Sequence, residues 1–154
     1  MSEPTDSNTK DAGLYFRLFT EVGIINQLSS NRAERSLPHG LTMSQFSVLN
    51  HFARGLPPKS PLELANAFQV TKGAMTNTLK QLGNKGFVKV VGNEEDKRAK
   101  IVSISEEGLS AFADAQKSLM IAFSDFVSAM DEQDIANLLP GLEAVRVWLD
   151  ENRK

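Results

Sequence analysis

The side chains best suited to chemistry lie in the segment TKGAMTNTLK, which begins at Thr71. Its polar residues recur at helical spacing, on the side away from the apolar ones. The amide of Asn77 can make two hydrogen bonds to an adenine edge, and a lysine can pair with guanine or hold a phosphate. We therefore predict a helix that enters the major groove of DNA through Thr71, Lys72, Gly73, Thr76, Asn77 and Lys80. The alternative is that Asn77 is an exposed helix residue without a function.

Charged residues at the tip of a predicted hairpin form a second candidate contact. An arginine such as Arg98 can enter a narrow minor groove, where the electrostatic potential is most negative. Asp96 would be a poor DNA contact by itself, but it can orient Arg98 through a charge-assisted hydrogen bond. We predict that this tip contacts DNA through Asp96, Lys97, Arg98 and Lys100. A charged hairpin turn with no partner is the alternative.

The charge of the chain is unevenly distributed. The formal net charge of the 154 residues is −2, yet the segment from Thr71 to Lys100 contains seven basic and three acidic residues. That segment is therefore +4 and the remainder is −6. Such a protein can present a basic face to a duplex while its acidic body limits nonspecific binding. A lysine run on a solvated helix face would show the same composition.

Two helices are predicted before these segments. Apolar residues from Leu14 to Leu28 recur every three or four positions and predict a helix over about 12–30. The polar stretch from Ser29 to Gly40 then predicts a loop. Thr42 has the character of an N-cap, and Gln45 completes a capping box that starts the second helix.

The third helix is predicted from three agreeing start signals. Ser60 is an N-cap, Pro61 occupies the first helical position and Glu63 closes a capping box. The helix is expected to end near Phe68 or Gln69. The residues predicted to face inward are Leu62, Ala65 and Phe68.

The fourth helix and the hairpin complete a winged helix-turn-helix. Thr71 is the N-cap of a helix that runs to about Lys85, and Gly86 marks its end. The segments 87–91 and 100–105 are rich in valine and isoleucine and predict two strands around the charged tip. The helix residues predicted to face inward are Ala74, Met75, Leu79 and Leu82.

Apolar residues after Ser105 continue at helical spacing for about seven turns, as far as Met130. This stripe is too long for the small domain to cover, which predicts a partner surface. A last amphipathic segment, from Ile135 to Leu149, can pair with the helix at 12–30 of the same or a second chain. Pro140 predicts a kink or a break in it, since proline costs roughly 3 kcal/mol in a helix interior.

These elements predict a mainly α fold with a small β-hairpin wing. We expect a disordered N-terminus at 1–11, a winged helix-turn-helix DNA-binding domain at 41–105, and a helical dimerisation region made from 12–40 and 106–152.

The chain has no cysteine, which excludes disulfides and thiolate metal sites. It has no apolar leader and no run of roughly 18–20 apolar residues, which predicts a soluble cytoplasmic protein without a membrane partner.

The segments LTMSQFSVL, SPLELANAFQVTKGAMTNTLKQLGNKGFV, DKRAK and SISEEG resemble the successive signatures of the MarR family of bacterial transcriptional regulators. The resemblance covers roughly 12–150, and its most specific element is Asp96 with Arg98 at the wing tip. It implies a homodimer built from the first and last helices and a palindromic site on double-stranded DNA. It also implies a regulator, expected to be a repressor, that often responds to a small aromatic or anionic ligand. We expect no cofactor.

The chain departs from the family pattern at three places. Glycine is usual where this chain has Gln69, so the turn there is expected to carry slight strain or a different conformation. Arginine is common at the position of Asn77, which predicts a different sequence preference. Gly83 and Asn84 replace an acidic helix end and should loosen the last turn of the fourth helix.

Aromatic residues suggest where a ligand could bind. Phe16, Phe19, Phe46, Phe52 and Phe112 are the candidates for an apolar pocket near the junction of the two regions. Aromatic residues at helical spacing are more often part of the core, and this interpretation stays open.

Other classes of function have weaker support. His39 and His51 are the only histidines, and neither a zinc-protease nor a P-loop pattern is present, so we predict that the chain is not an enzyme and has no metal site. A metal-sensing regulator would use these histidines with carboxylate ligands. A winged-helix module that binds a protein partner is the other alternative.

Overall fold

The computed structural model describes residues 11–92 and 100–153. This part of the chain is mainly helical with one two-stranded antiparallel hairpin, which confirms the predicted fold class. The elements in chain order are α1 (Ala12–Ser36), α2 (Met43–Ala53), α3 (Pro61–Phe68), α4 (Lys72–Asn84), β1 (Val88–Gly92), β2 (Lys100–Ile104), α5 (Glu106–Ala122), α6 (Ser124–Ala129) and α7 (Glu132–Glu151).

Both predicted capping boxes are confirmed. The hydroxyl oxygen of Thr42 accepts a hydrogen bond from the Gln45 backbone amide (3.2 Å), and the Gln45 side chain accepts one from the Thr42 amide (3.3 Å). Ser60 and Glu63 make the same reciprocal pair at the start of α3. Because the backbone amide and the hydroxyl of Ser60 both donate to the Glu63 carboxylate, the pKa of Glu63 is lowered. Local side-chain chemistry therefore sets where these helices begin.

The first helix is longer than predicted, because the polar residues that weaken its apolar pattern do not stop a helix. It continues to Ser36, beyond the expected end near residue 30. It ends where Leu37 adopts an extended backbone (ψ 126°) before Pro38, since proline disfavours helical backbone in the residue that precedes it. Asp11, which we expected in the N-terminal tail, caps α1 through the Gly13 amide (2.9 Å). Residues 1–10 lie outside the described part of the chain.

The core lies between α2, α3, α4 and the hairpin. Its fully buried large side chains are Val48, Leu49, Leu64, Leu82 and Val102. The inward assignment of Leu62 is wrong, since Leu62 is 53% exposed. Leu62 and Leu64 lie about 160° apart around the helix, at about 100° per residue, so only one of them can face the core. The assignment of Ala74 is also wrong, because Ala74 is exposed beside the buried Met75.

The hairpin is attached to the body by a third short segment. β1 and β2 pair from Val88 opposite Ile104 to Gly92 opposite Lys100. Lys59, just before α3, exchanges two backbone hydrogen bonds with Val102 of β2 (2.8 and 3.2 Å). The predicted strands are confirmed with ends that differ by one residue. The hairpin is therefore held at its base by the residues that lead into the helix-turn-helix.

The junction of α4, β1 and α5 is closely packed. Gly86, the predicted end signal of α4, has φ +73°. The Ser105 hydroxyl donates to the Gly86 carbonyl (2.6 Å) and accepts from the Gly108 amide (3.0 Å), so Ser105 caps α5 and does not extend β2. A Cβ atom on Gly108 would lie 2.0 Å from the Phe87 carbonyl oxygen and 2.8 Å from Cγ1 of Ile104. Only glycine fits this position, a requirement that the sequence analysis missed.

The carboxyl-terminal stripe is not one continuous helix. It is interrupted at Phe123, which separates α5 from α6. Arg32 of α1 reaches this point, where it donates to Asp125 (2.5 Å) and its guanidinium lies 5.1 Å from the centre of the Phe123 ring. The hydrogen bond from Arg32 is the main cause that lowers the pKa of Asp125. The side chain of Arg32 thus links α1 to this interruption.

The last helix is not broken at Pro140, where a kink or a break was predicted. α7 runs without interruption from Glu132 to Glu151. A proline in a helix interior removes one backbone donor, and the turns on either side can continue the helix when they are long enough. No residue of α7 is buried. None of the helices described here combines the length and the hydropathy of a membrane span.

We predict that Gly108→Ala lowers the free energy of unfolding by about 1–3 kcal/mol or more, because the new methyl group has no space beside the Phe87 carbonyl. Urea denaturation measures this change. Gly83→Ala in α4 is the matched control, since a Cβ there meets no atom within 4 Å. Alanine in an open helix position should raise stability by about 0.5–1 kcal/mol. Equal effects of the two variants would contradict the packing described here.

Candidate nucleic-acid interface

The two sides of α4 have opposite character. Met75, Leu79 and Leu82 are buried in the core. The residues predicted to contact DNA are all exposed, namely Thr71, Lys72, Gly73, Thr76, Asn77 and Lys80. At about 100° per residue, the last five fall within an arc of about 140°. The buried stripe therefore orients a continuous polar surface toward solvent. We call these six exposed residues the α4 face.

Most of the α4 face has unused hydrogen-bonding capacity. Thr71 is the exception, because its hydroxyl oxygen accepts the Ala74 amide (3.1 Å) and so caps the helix. Within the described residues, the side chains of Lys72, Asn77 and Lys80 make no hydrogen bond or ion pair with another residue. An amide and two ammonium groups are thus available to an external partner.

The turn before α4 has the geometry that glycine usually provides. Gln69 adopts the left-handed conformation with φ 55° and ψ 39°. Its backbone amide donates to the backbone carbonyl of Asn66 (3.3 Å), and the amide of Val70 donates to the Ala65 carbonyl (3.0 Å), as in a Schellman motif. Gln69 therefore has the strained backbone that was predicted, a positive φ in a residue other than glycine. The turn still makes the hydrogen bonds of a Schellman motif.

The wing is described only up to its tip. Gly92 pairs with Lys100, and residues 93–99 between them lie outside the described residues. The predicted contacts from Asp96, Lys97 and Arg98 fall in that segment and remain predictions. Lys100 is exposed at the start of β2, and Lys89 is exposed on β1, so both strands carry a cation.

The carboxyl end of α4 is attached to the body by two side-chain hydrogen bonds. Gln45 is only 2% exposed, and its Nε2 donates to Oε1 of Gln81 (2.5 Å). Lys85 donates from Nζ to the backbone carbonyl of His39 (2.8 Å). Sequence reasoning assigned Gln45 only to a cap and Lys85 only to the end of α4. The signal for Gln45 was its place one turn before Leu49 on the buried side of α2, where an amide needs a hydrogen-bond partner.

The structure does not bring the five candidate ligand residues together. Phe46 and Phe112 stack with ring centres 5.6 Å apart, between α2 and α5. Phe52 is buried in the core. Phe16 and Phe19 lie exposed on α1, with Phe16 75% exposed. A shallow cleft of about 370 Å³ opens elsewhere, and its lining is polar, formed by Gly40, Thr42, Gln45, Gln81, Asn84 and Lys85.

The two histidines lie in different surroundings. Nε2 of His39 is 2.9 Å from Oδ2 of Asp114. His51 packs against the rings of Phe52 and Phe68, and its Nε2 is buried without a hydrogen-bond partner in the described structure. Among residues 11–92 and 100–153, no three histidine, aspartate or glutamate side chains are grouped so that they could hold a metal ion.

Sequence and structure comparisons find winged-helix transcription regulators. A family model described as the MarR family matches residues 39–99. An uncharacterized HTH-type transcriptional regulator of Bacillus cereus is 30% identical over 131 residues, which cover 83% of this chain and 84% of that relative. These matches span both the helix-turn-helix and the helices around it.

Two solved structures are similar in fold. The transcriptional regulator BldR from Sulfolobus solfataricus has a TM-score of 0.77 at 24% identity, covering 90% of this chain and 99% of that chain. A mutant MarR from E. coli complexed with operator DNA has a TM-score of 0.69 at 24% identity, covering 89% of this chain and 99% of that chain.

We predict that acidification destabilises the packing around His51. Burial, followed by the nearby charges of Lys59 and Arg54, lowers the pKa of His51 from its ordinary value of 6.5. The unfolded chain therefore binds a proton more readily, so the stability contributed by neutral His51 is present above about pH 6.5 and is lost as the pH falls below it. Urea denaturation at pH 7.5 and 5.5 should show a smaller loss for His51→Leu than for the wild type. An unchanged pH dependence in the variant would contradict this assignment.

Proposed function

Because this chain belongs to the MarR family of HTH-type transcriptional regulators, we propose that it is a repressor that binds a specific operator in double-stranded DNA as a homodimer. The proteins of this family are DNA-binding regulators and not enzymes. The observation that carries the proposal is the α4 face, an exposed helix surface opposite a buried stripe, whose amide and ammonium groups have no partner among the described residues. The operator-bound MarR structure supports the same use of the fold.

The residues of the α4 face divide into two roles. Lysine ammonium groups bind phosphates or guanine, whereas the amide of Asn77 matches the donor and acceptor of an adenine edge. Gly73 adds no side chain, which allows the start of α4 to approach the groove closely. Asp96, Lys97, Arg98 and Lys100 of the wing are proposed to contact the adjacent minor groove and backbone. The helix then supplies base preference and the wing supplies much of the affinity.

Unpartnered apolar surface supports the homodimer. α1 exposes large apolar side chains along most of its length, including Phe16, Ile25 and Leu28. α7 has no buried residue, and Trp148 is 63% exposed. Contiguous apolar surface of this extent is typical of an interface. Two copies related by a twofold axis would present two α4 faces, which fits a palindromic operator with half-sites about one helical turn apart.

A small aromatic or anionic effector is the least constrained part of the proposal. The stacked pair of Phe46 and Phe112 lies between α2 and α5, where the DNA-binding and dimerisation regions meet. A ligand there would release DNA only by binding one separation of the two α4 helices better than another. The sequence and the fold do not specify its identity.

An unbiased selection from a random duplex library with the purified protein tests this function. We expect an inverted repeat whose half-site centres are about 10 base pairs, or a multiple of that, apart. If no DNA sequence is enriched and the immobilised protein instead captures a protein partner from solution, the winged-helix interaction module is favoured. A purified protein with a stoichiometric transition metal would favour the metal-sensing regulator.

Asn77→Ala is expected to relax the base preference at one position of each half-site, because it removes an amide pair worth about 1–3 kcal/mol of discrimination. Lys72→Met should instead weaken binding to all sequences and reduce the salt dependence, since it removes a phosphate contact. Arg98→Ala should weaken binding severely. Titrations against the selected operator and single-base variants measure these effects, with Lys117→Met, an exposed lysine of α5, as the matched control. Equal losses from Asn77→Ala on every sequence would contradict the role in base recognition.

Trp148→Asp is expected to raise the dimer dissociation constant by about 30-fold or more, because it places a charge in an aromatic contact worth roughly 2–4 kcal/mol. Sedimentation equilibrium measures the change. Leu62→Asp is the matched control, since Leu62 is also an exposed apolar residue but lies on α3. A monomeric wild type, or an equal effect of both variants, would contradict the assigned interface.

A further inference from the structure

The loop between α1 and α2 contains a strained turn. The amide of Leu41 donates to the Pro38 carbonyl (3.1 Å), and the two residues between them both have positive φ, 60° for His39 and 62° for Gly40. This is the pattern of a type I′ turn. A positive φ is uncommon for a residue other than glycine. The surrounding contacts must therefore hold His39 in place.

His39 contacts three parts of the fold. Its ring nitrogen Nε2 lies 2.9 Å from Oδ2 of Asp114 on α5. The contact is a hydrogen bond in the His39 tautomer that carries its hydrogen on Nε2, with the Asp114 oxygen as acceptor. The His39 and Phe87 rings pack edge to face, with centres 6.0 Å apart and planes at 79°. The backbone carbonyl of His39 accepts from Nζ of Lys85 (2.8 Å), which is the C-cap residue of α4.

The position of Lys85 gives these contacts a mechanical consequence. α4 has 13 residues and is about 20 Å long, with the proposed DNA contacts in its amino-terminal part and Lys85 just beyond its carboxyl end. A tilt of about 5° about that end would move the amino end by about 1.7 Å. α5 packs against α1, which carries part of the proposed dimer surface. A link between Lys85 and α5 therefore fixes the α4 face relative to the dimer.

We propose that the contacts of His39 with Asp114 and with Lys85 form a latch, named here the His39 latch, that sets the separation of the two α4 faces in the dimer. The inference rests on the proposed function. His39, Asp114 and Lys85 are positioning residues for operator binding and do not themselves contact DNA. The imidazole holds the turn on α5, and the turn holds the carboxyl end of α4 through its carbonyl.

Two variants each remove one half of the latch. His39→Gly permits the same positive φ and retains the carbonyl that accepts from Lys85, but it deletes the bond to Asp114 and the ring contact with Phe87. Lys85→Met deletes the bond to the turn and keeps a long side chain. Asp114→Ala removes the acceptor on α5, whereas Asp114→Asn keeps an amide oxygen that can accept from Nε2 and should rescue the effect. Lys117→Met is the control, as an exposed lysine of α5.

Each protein is titrated against the selected operator, against the same operator with one base pair inserted between the half-sites, and against a single half-site. The latch predicts that His39→Gly, Lys85→Met and Asp114→Ala lose roughly two- to fivefold on the native operator, as expected for exposed polar contacts, and nothing on the half-site. The same variants should discriminate less between the two spacings. Lys85→Met should keep the wild-type dependence of affinity on salt, because a phosphate contact would change that slope by about 0.9.

Equal losses on the half-site and the full operator would overturn the latch, as would a reduced salt slope for Lys85→Met, which would make Lys85 a phosphate contact. A second readout needs no DNA. Amide hydrogen exchange in residues 81–86 should be faster in His39→Gly and Lys85→Met than in the wild type, with α3 unchanged, and unchanged exchange in 81–86 would also overturn the latch. If the wild type binds no duplex, the proposed function fails on that result alone, and the exchange measurement still decides whether the latch exists.

Discussion

The packing of one side of α4 against the core is the constraint on which the rest of the structure depends. Met75, Leu79 and Leu82 are buried against side chains that include Leu64 and Val102. Each buried leucine or methionine contributes roughly 1.5–3 kcal/mol, so rotation of the helix about its axis would be strongly unfavourable. The polar residues on the other side are exposed as a consequence. The polar side chains of the α4 face are thus oriented by apolar residues that make no polar contact themselves.

The exposed surface separates into regions that suit different partners. The α4 face and the strands of the wing carry exposed lysines and the exposed amide of Asn77, whereas α1 and α7 expose apolar side chains. The acidic remainder of the chain limits nonspecific attraction to polyanions, because its −6 charge opposes the +4 of the segment from Thr71 to Lys100. The core and α5 connect α1 to α4, since α5 packs against both α1 and α2 and α2 packs against α4.

Local signals in the sequence predicted most helix starts and failed for contacts between distant residues. The caps at Thr42, Ser60 and Thr71 were predictable because a hydroxyl oxygen and an amide three residues apart interact within one turn. The end of α1 was missed because Pro38, and not the polar residues before it, stops the helix. The space limit at Gly108 depends on the Phe87 carbonyl, and the pair of His39 with Asp114 joins residues 75 positions apart. Periodic patterns in the sequence do not show which distant residues come into contact.

In the proposed function, lysine and arginine side chains neutralise DNA phosphates and α4 contacts the base edges. The most direct measurement is the affinity of the purified wild-type protein for duplex DNA at a series of salt concentrations. A dimer that neutralises about 6–10 phosphates should lose on the order of 10³ to 10⁵ in affinity between 50 and 200 mM salt. Affinity that does not change with salt, or no binding at any concentration, would contradict the account.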